Sequence, residues 1–158
     1  MWNWHTRKQA MIFTQCFTYN NIFSLAKNSK WIDLILEIIS RLLKDEVIEV
    51  RESARQTLSS VIIWDIIDSE KMGTLINYFK RESSQSVKRI DGKDGHRFFD
   101  PSDVGIRHGG ILGLCAFVYA YPDDLPNHLP DIIIFLTEHF SDPQPIPVRE
   151  FPSLLSLW

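Results

Sequence analysis

The strongest constraint on the fold is a pair of apolar stripes with helical spacing, separated by a very short polar turn. The first stripe comprises Ile32, Ile35, Leu36, Ile39, Leu42 and Leu43, and the second comprises Val47, Val50, Ala54, Leu58, Val61 and Ile62. Apolar residues spaced by three and four positions share one face of an α-helix. Because only a turn around Asp45 and Glu46 separates the stripes, the two predicted helices must run antiparallel.

A short motif in the second helix recurs later in the chain. In each copy a branched apolar residue precedes an arginine, and a small residue and a leucine follow. The repeat-signature positions are Asp45, Val50, Arg51, Ala54 and Leu58 in the first copy and Ile106, Arg107, Gly109, Gly113 and Leu114 in the second. Recurrence of a helix pair is typical of solenoids. We therefore predict an all-α, HEAT/armadillo-like helical-repeat fragment of about six helices in antiparallel pairs, in which both arginines contact the acidic turn of an adjoining repeat.

Capping residues and prolines predict where the remaining helices begin. Asp68 or Ser69 can cap a helix that carries Met72 and Phe79, and Pro126 or Pro130 can open another. A further helix lies near the start of the chain. The helix after residue 103 contains four glycines, which cost stability within a helix and are explained most simply by close helix packing. We also expect Trp31 and Trp64 to pack between helices.

The helical pattern fails between residues 83 and 102, where a mobile inter-helix loop is predicted. It separates HEAT-like repeats at 1–82 from a further repeat at 103–146, and residues 147–158 form a distinct tail. Basic residues in and before the loop define a candidate patch for anions or partners. They are Lys80, Arg81, Lys88, Arg89, Lys93 and Arg97.

Composition excludes several function classes. The net charge of -3 offers no global field for nucleic acid, and no uninterrupted apolar stretch is long enough to span a membrane. Cys16 and Cys115 are the only cysteines and are expected to be buried and reduced, and no metal-ligand spacing occurs. His108 and Cys115 lie about two turns apart on one helix and cannot form a nucleophile–base pair. We predict no catalytic residues and no cofactor.

Several motifs resemble the C-terminal region of the proteasome activator complex subunit 4 family. They are Ile106-Arg107-His108-Gly109-Gly110-Ile111-Leu112-Gly113-Leu114-Cys115-Ala116, Tyr121-Pro122-Asp123-Asp124-Leu125-Pro126, Leu129-Pro130 and Ser141-Asp142-Pro143-Gln144-Pro145-Ile146. Upstream, the segment around Lys44-Asp45-Glu46 resembles the preceding repeat, so the likeness covers roughly residues 4 to 146.

That resemblance implies a very large HEAT-repeat protein that caps the α-ring of the proteasome core particle and promotes ubiquitin- and ATP-independent degradation without being an enzyme. It implies the remaining activator repeats, acetylated histones and inositol polyphosphates as partners, links to histone turnover and DNA repair, and residence in nucleus and cytoplasm. The family's terminal Tyr-containing tripeptide has no counterpart in the sequence after Ile146, which ends in Leu157-Trp158. Gate opening is therefore assigned to no residue of this chain.

Some members of this family read acetyl-lysine with an Asn beside an aromatic residue. Asp65 and Ile66 stand at the corresponding positions, and a carboxylate cannot donate the amide hydrogen bond that this recognition uses. No acetyl-lysine pocket is therefore predicted. A generic helical-repeat adaptor and a chromatin-associated binding module are the alternative functions. Because a repeat buries its apolar face only against neighbours, we also expect self-association or marginal stability.

Overall fold

The structure is a computed structural model that describes residues 3–91 and 97–139. In chain order the elements are α1 (Trp4–Asn20), α2 (Ile22–Leu25), α3 (Ser29–Leu42), α4 (Ile48–Ile63), α5 (Ser69–Ser83), β1 (Arg89–Asp91), β2 (Arg97–Phe99), α6 (Pro101–Ala120) and α7 (Leu129–Glu138). The prediction of an all-α fold is confirmed. About six helices were predicted, and the one that was not is α2, a four-residue helix directly after α1.

The helices form two layers. In one layer α1 packs against α4 and α4 packs against α6, so that α4 lies in the middle. The other layer consists of α3, α5 and α7. Of these, α3 packs on α4, and α5 and α7 both pack on α6. Because the connection from α3 to α4 is short, these two helices run antiparallel, as the apolar stripes predict. The core lies between the layers, and Ile39, Leu58, Phe79, Leu114 and Ile132 are buried within it.

Local signals in the sequence fix where the helices begin. Asp68 caps α5 by accepting a hydrogen bond from the amide of Lys71 at 2.8 Å. Asp100 caps α6 by accepting from the amide of Ser102 at 2.9 Å. Pro130 lies in the first turn of α7, where the absence of an amide hydrogen costs nothing. The predicted starts of α5 and α7 are thus confirmed at Asp68 and Pro130.

Three glycines of α6 allow neighbouring backbones to approach closely. A Cβ on Gly109 would lie 2.6 Å from the carbonyl oxygen of Leu43, and a Cβ on Gly110 would lie 2.4 Å from the amide nitrogen of Ser83. A Cβ on Gly113 would meet the ring of buried Phe79. These contacts form a glycine seam between α6 and two helices of the other layer, the end of α3 and α5. The glycine content of α6 is therefore explained by helix packing.

Three predictions from the sequence are wrong: those for the connection from α5 to α6, for Cys16 and for Trp31. The connection from α5 to α6 contains a short antiparallel hairpin, in which Arg89 pairs with Phe99 and Asp91 with Arg97. Cys16 is exposed, whereas Cys115 is buried as predicted. Trp31 is exposed rather than packed between helices. Helical periodicity places Cys16 and Trp31 on apolar faces, but both faces point away from the packed layers.

Candidate functional site

The turn between α3 and α4 is organised by the carboxylate of Asp45. Arg7 from α1 donates to both carboxylate oxygens, from Nε at 2.6 Å and from Nη2 at 2.8 Å, and its pKa is raised chiefly by this hydrogen bond. The amide of Val47 donates to Oδ1 of Asp45 at 2.9 Å. The acidic turn is therefore contacted by a helix outside its own pair. Sequence reasoning did not find Arg7, because 38 residues separate it from Asp45.

The two signature arginines occupy equivalent positions. Arg51 of α4 donates to the backbone carbonyl of Asp45 at 2.6 Å, and Arg107 of α6 donates to the backbone carbonyl of Gln85 at 2.9 Å. Each guanidinium thus binds a backbone carbonyl just beyond the first helix of its pair, which is α3 for Arg51 and α5 for Arg107. These contacts are with backbone carbonyls of the same pair, and Arg7 of α1 reaches the acidic turn from outside that pair. The arginines act as structural clamps on helix ends.

The other signature residues are mostly parts of the core. Val50, Ala54 and Leu58 of α4 are buried, as are Gly109, Gly113 and Leu114 of α6, whereas Ile106 is half-buried. Pro122 and Pro126 lie in the connection between α6 and α7. Asp142, Pro143 and Pro145 lie outside the described residues. His108 and Cys115 are both buried in α6.

A groove of about 680 Å³ lies between α3 and α5. Its lining residues are Asp33, Leu36, Glu37, Ser40, Arg41, Lys44, Asp68, Glu70, Lys71, Thr74, Leu75 and Tyr78. Lys71 pairs with Asp33 across one end of the groove and donates to the hydroxyl of Ser29 at 2.7 Å. The groove combines an apolar floor with charged walls, which suits an extended protein segment better than a small apolar ligand.

At the other end of the groove Lys44, which follows the end of α3, binds two side chains of α5. Its Nζ donates to the hydroxyl of Tyr78 at 2.7 Å and lies 3.3 Å from Oε2 of the buried Glu82. Burial by itself lowers the pKa of Lys44, but the bonds to Tyr78 and the charge of Glu82 outweigh it, so that the pKa is raised. Lys44 therefore stays protonated and neutralises a buried carboxylate.

The predicted basic patch is only partly assembled. Lys80 and Arg81 lie in the last turn of α5, while Lys88 and Arg89 are exposed at the start of the hairpin. The guanidinium of Arg81 lies 5.5 Å from the centre of the Tyr78 ring and 3.9 Å from Glu82. Lys93 lies outside the described residues, and Arg97 is the first residue of β2. The described cations thus surround the connection from α5 to α6. We call this surface the α5–α6 patch and define it by Lys80, Arg81, Lys88 and Arg89.

Asp65 and Ile66 directly follow the end of α4. Asp65 is exposed, with a φ of 53°, and it directly follows the last residues of α4. Short polar residues adopt this left-handed conformation at helix ends more readily than bulky ones do. Ile66 is buried in the core. The pair therefore lies where a helix ends.

His128, which directly precedes α7, packs beside two aromatic rings. Its ring packs edge-on against Phe117 at 6.0 Å and against Tyr121 at 5.6 Å between ring centres. Burial lowers the pKa of His128, because the charged imidazolium loses hydration in this position. Within the described residues, no group of three or more His, Cys, Asp or Glu side chains is placed to hold a metal ion. None of the described helices has the length and hydropathy needed to cross a membrane.

The stacked helix pairs define the class of this protein as an all-α helical-repeat protein. Residues 104–152 match the family described as "Proteasome activator complex subunit 4-like, C-terminal". This stretch includes most of α6 and all of α7, as well as the first residues of the segment from 147 to 158. The match therefore falls on the helices that close the core.

Relatives extend the similarity over most of the chain. Proteasome activator complex subunit 4 of Xenopus laevis is 31% identical over 147 residues, and that of Homo sapiens is 32% identical over 146 residues. Proteasome activator subunit 4 of Arabidopsis thaliana is 26% identical over 144 residues. Each alignment covers 91% of this chain, which spans about 8% of the length of these relatives. The chain belongs to the proteasome activator complex subunit 4 family and corresponds to its C-terminal region.

Proposed function

We propose that this chain is a non-catalytic, HEAT-like part of a proteasome activator and binds the α-ring of the proteasome core particle. The observation that carries the proposal is the similarity to activator subunits across α1 to α7. The described structure supports a role through surfaces, since Arg7, Arg51 and Arg107 bind helix ends and turns while Lys88 and Arg89 remain exposed. Through this binding the chain would promote degradation that needs neither ubiquitin nor ATP, in the nucleus and cytoplasm, with links to histone turnover and DNA repair.

The α5–α6 patch is the surface that we assign to this contact. It is fixed rigidly to the family-matched helix α6, because the amide of Lys88 donates to Oδ2 of Asp103 at 3.1 Å and the amide of Asp100 donates to the carbonyl of Lys88 at 2.9 Å. Exposed cations on a rigid support recognise anionic groups well, because little conformational entropy is lost on binding. The same patch would also take inositol polyphosphates.

The test is co-elution of the purified chain with the purified core particle, together with the rate of fluorogenic peptide hydrolysis. We expect co-elution, and we expect the Arg81→Glu/Lys88→Glu variant to lose it. The matched control is Lys27→Glu/Lys30→Glu, which reverses the same amount of charge at two exposed positions, one between α2 and α3 and one in the first turn of α3. Failure of the unaltered, folded chain to co-elute at micromolar concentration would refute the proposal. Equal binding by both variants would refute the assignment to the patch.

The groove between α3 and α5 favours a protein-interaction adaptor as the second candidate function. Its volume of about 680 Å³ fits several residues of an extended peptide. A Thr74→Trp variant should fill the groove and weaken binding on a peptide array. Thr137→Trp changes an exposed residue of α7 outside the groove and should leave binding unchanged. Identical array patterns for both variants would count against a peptide-binding role of the groove.

A further inference from the structure

The groove between α3 and α5, which we call the α3–α5 groove, has both of its walls within this chain. Lys71 of α5 pairs with Asp33 near the start of α3, and Lys44, just beyond the end of α3, contacts Tyr78 and Glu82 of α5. Positions that come later in α3 thus face positions that come later in α5, so the two helices run parallel. The charges along the groove can therefore be placed in order from one end to the other.

The end of the groove at which both helices begin carries an excess of negative charge. Asp33, Asp68 and Glu70 line this end, and Lys71 is the cation among them. Three carboxylates and one ammonium group leave a net charge of -2. The ammonium group of Lys71 is already bound to Asp33 and to the hydroxyl of Ser29. This end therefore suits a cationic side chain of a ligand.

The opposite end of the groove offers an arginine to an anionic group. Arg41, in the last turn of α3, is exposed and forms no ion pair with any residue that the structure describes. Glu37 lies one turn earlier on the same wall, and Lys44 is neutralised by the buried carboxylate of Glu82. A guanidinium can bind a carboxylate through two parallel hydrogen bonds. Arg41 is therefore the group at this end that can bind a carboxylate of a ligand.

The middle of the groove combines an apolar floor with hydroxyl groups. Leu36 and Leu75 line it from the two helices, together with Ser40 and Thr74. The hydroxyl of Thr74 donates to the carbonyl of Glu70 at 3.0 Å, which leaves its oxygen able to accept a hydrogen bond from an amide of a bound peptide. The middle of the groove thus suits one apolar side chain and the peptide backbone beside it.

The distance between the two charged ends determines the spacing of charges in a matching ligand. Asp33 and Arg41 are eight residues apart in α3, which corresponds to about 12 Å along the helix axis. An extended peptide advances about 3.3 Å per residue, and its alternate side chains point to the same side. The first, third and fifth residues of such a peptide therefore span about 13 Å and face the groove together.

We propose that the α3–α5 groove binds an extended peptide segment that carries an arginine, an apolar residue and an acidic residue at alternate positions. The arginine binds Asp68 and Glu70, and the acidic residue binds Arg41. The apolar residue packs between them on Leu36 and Leu75. Arginine suits the acidic end better than lysine, because its guanidinium is more weakly hydrated and binds carboxylates through two parallel hydrogen bonds.

This proposal rests on the second candidate function, the adaptor role of the groove, and names the class of its partner. It is independent of the core particle, whose contact is assigned to the α5–α6 patch. The reverse order of the three residues presents the same side chains to the groove, so the proposal concerns their spacing and not the direction of the peptide.

The first test is an NMR titration of the isotope-labelled chain with short peptides that are acetylated and amidated at their ends. The peptide Arg-Ala-Leu-Ala-Glu should shift backbone amide signals of α3 and α5 until they saturate. The matched control peptide, Arg-Ala-Leu-Glu-Ala, has the same composition but turns its carboxylate to the other side, and it should bind about tenfold more weakly or less. Equal affinities for the two peptides would overturn the proposal, as would the lack of saturable shifts at about 1 mM peptide.

The second test reverses one charge of the groove. Arg41→Glu should weaken binding of Arg-Ala-Leu-Ala-Glu by about tenfold or more, and it should prefer Arg-Ala-Leu-Ala-Arg, whose second guanidinium meets the new carboxylate. The matched control, Lys27→Glu, makes the same change of charge at an exposed position outside the groove and should keep the preference of the unaltered chain. Circular dichroism establishes that both variants retain their helices. An unchanged preference in Arg41→Glu would refute the proposed contact.

A peptide array probed with the unaltered chain and with Thr74→Trp separates this proposal from the adaptor role. Peptides that bind only the unaltered chain depend on the groove. We expect these peptides to share an arginine, an apolar residue and an acidic residue at alternate positions. Groove-dependent peptides without this spacing would refute the proposal and leave the adaptor role intact, whereas the lack of any groove-dependent peptide would refute both.

Discussion

The glycine seam yields the sharpest stability prediction, because one substitution at two sites should have opposite effects. Gly110→Ala places a Cβ 2.4 Å from the amide nitrogen of Ser83 and 2.8 Å from the carbonyl oxygen of Phe79. Both are backbone atoms, which cannot rotate away, so α5 and α6 must separate by about 1 Å to restore a contact of 3.4 Å. Gly73→Ala on the exposed side of α5 meets nothing within 4 Å.

The magnitudes follow from two opposing effects. Replacing glycine by alanine within a helix stabilises it by about 1 kcal/mol, whereas overpacking a well-packed site costs about 3 kcal/mol at the upper end of its usual range. Gly110→Ala should therefore lower the unfolding free energy by about 2 kcal/mol. For a chain of this size that corresponds to a fall of about 6 °C in melting temperature. Gly73→Ala should raise the unfolding free energy by about 1 kcal/mol.

Urea denaturation followed by circular dichroism measures both variants. The slope of unfolding free energy against urea concentration should be unchanged, so that the midpoint alone reports stability. Protein concentration must be equal in all samples, because self-association adds to apparent stability. The reasoning about close backbone approach would be refuted if Gly110→Ala were as stable as the unaltered chain or more stable.

Three further predictions concern polar contacts and pH. Asp45→Asn should lower the urea midpoint, because it weakens a charge-assisted contact between α1 and the turn, and Glu46→Gln at the exposed neighbouring position should change it little; equal effects would contradict this. Tyr78→Phe should cost about 1 kcal/mol by removing the hydroxyl partner of Lys44, and an unchanged midpoint would contradict that role. The unfolding free energy should fall as pH drops below about 6.5, because the pKa of His128 is lowered from 6.5 in the folded state and the unfolded chain binds its proton more readily. His128→Gln should reduce this loss between pH 7.5 and 5.5, and an unchanged pH dependence would refute the assignment.

Local sequence signals predicted the helices well, because their causes are local. The stripe of Ile32, Ile35 and Ile39 repeats every three or four residues, and this spacing alone determines which side of α3 is buried. The cap at Asp68 depends on atoms only three residues apart. The glycines of α6 also allowed a correct prediction, since their cost within a helix requires a compensating close contact.

Features that depend on distant parts of the chain could not be predicted in the same way. The contact between Arg7 and Asp45 joins residues far apart in sequence, and nothing in either segment specifies the other. Periodicity assigned Cys16 and Trp31 to apolar faces correctly, but it cannot show whether a neighbouring helix covers such a face. The hairpin after α5 contains too few residues in each strand for alternation to be recognised.

The central position of α6 has a consequence for synthesis of the chain. α4, α5 and α7 all pack against α6, and nearly every residue from Gly105 to Ala120 is buried. A nascent polypeptide that has emerged only as far as α5 therefore lacks the element that covers Phe79 and Leu58. Such intermediates expose apolar surface and are prone to aggregate. Protection by a ribosome-associated chaperone would be needed most between emergence of α4 and emergence of α6.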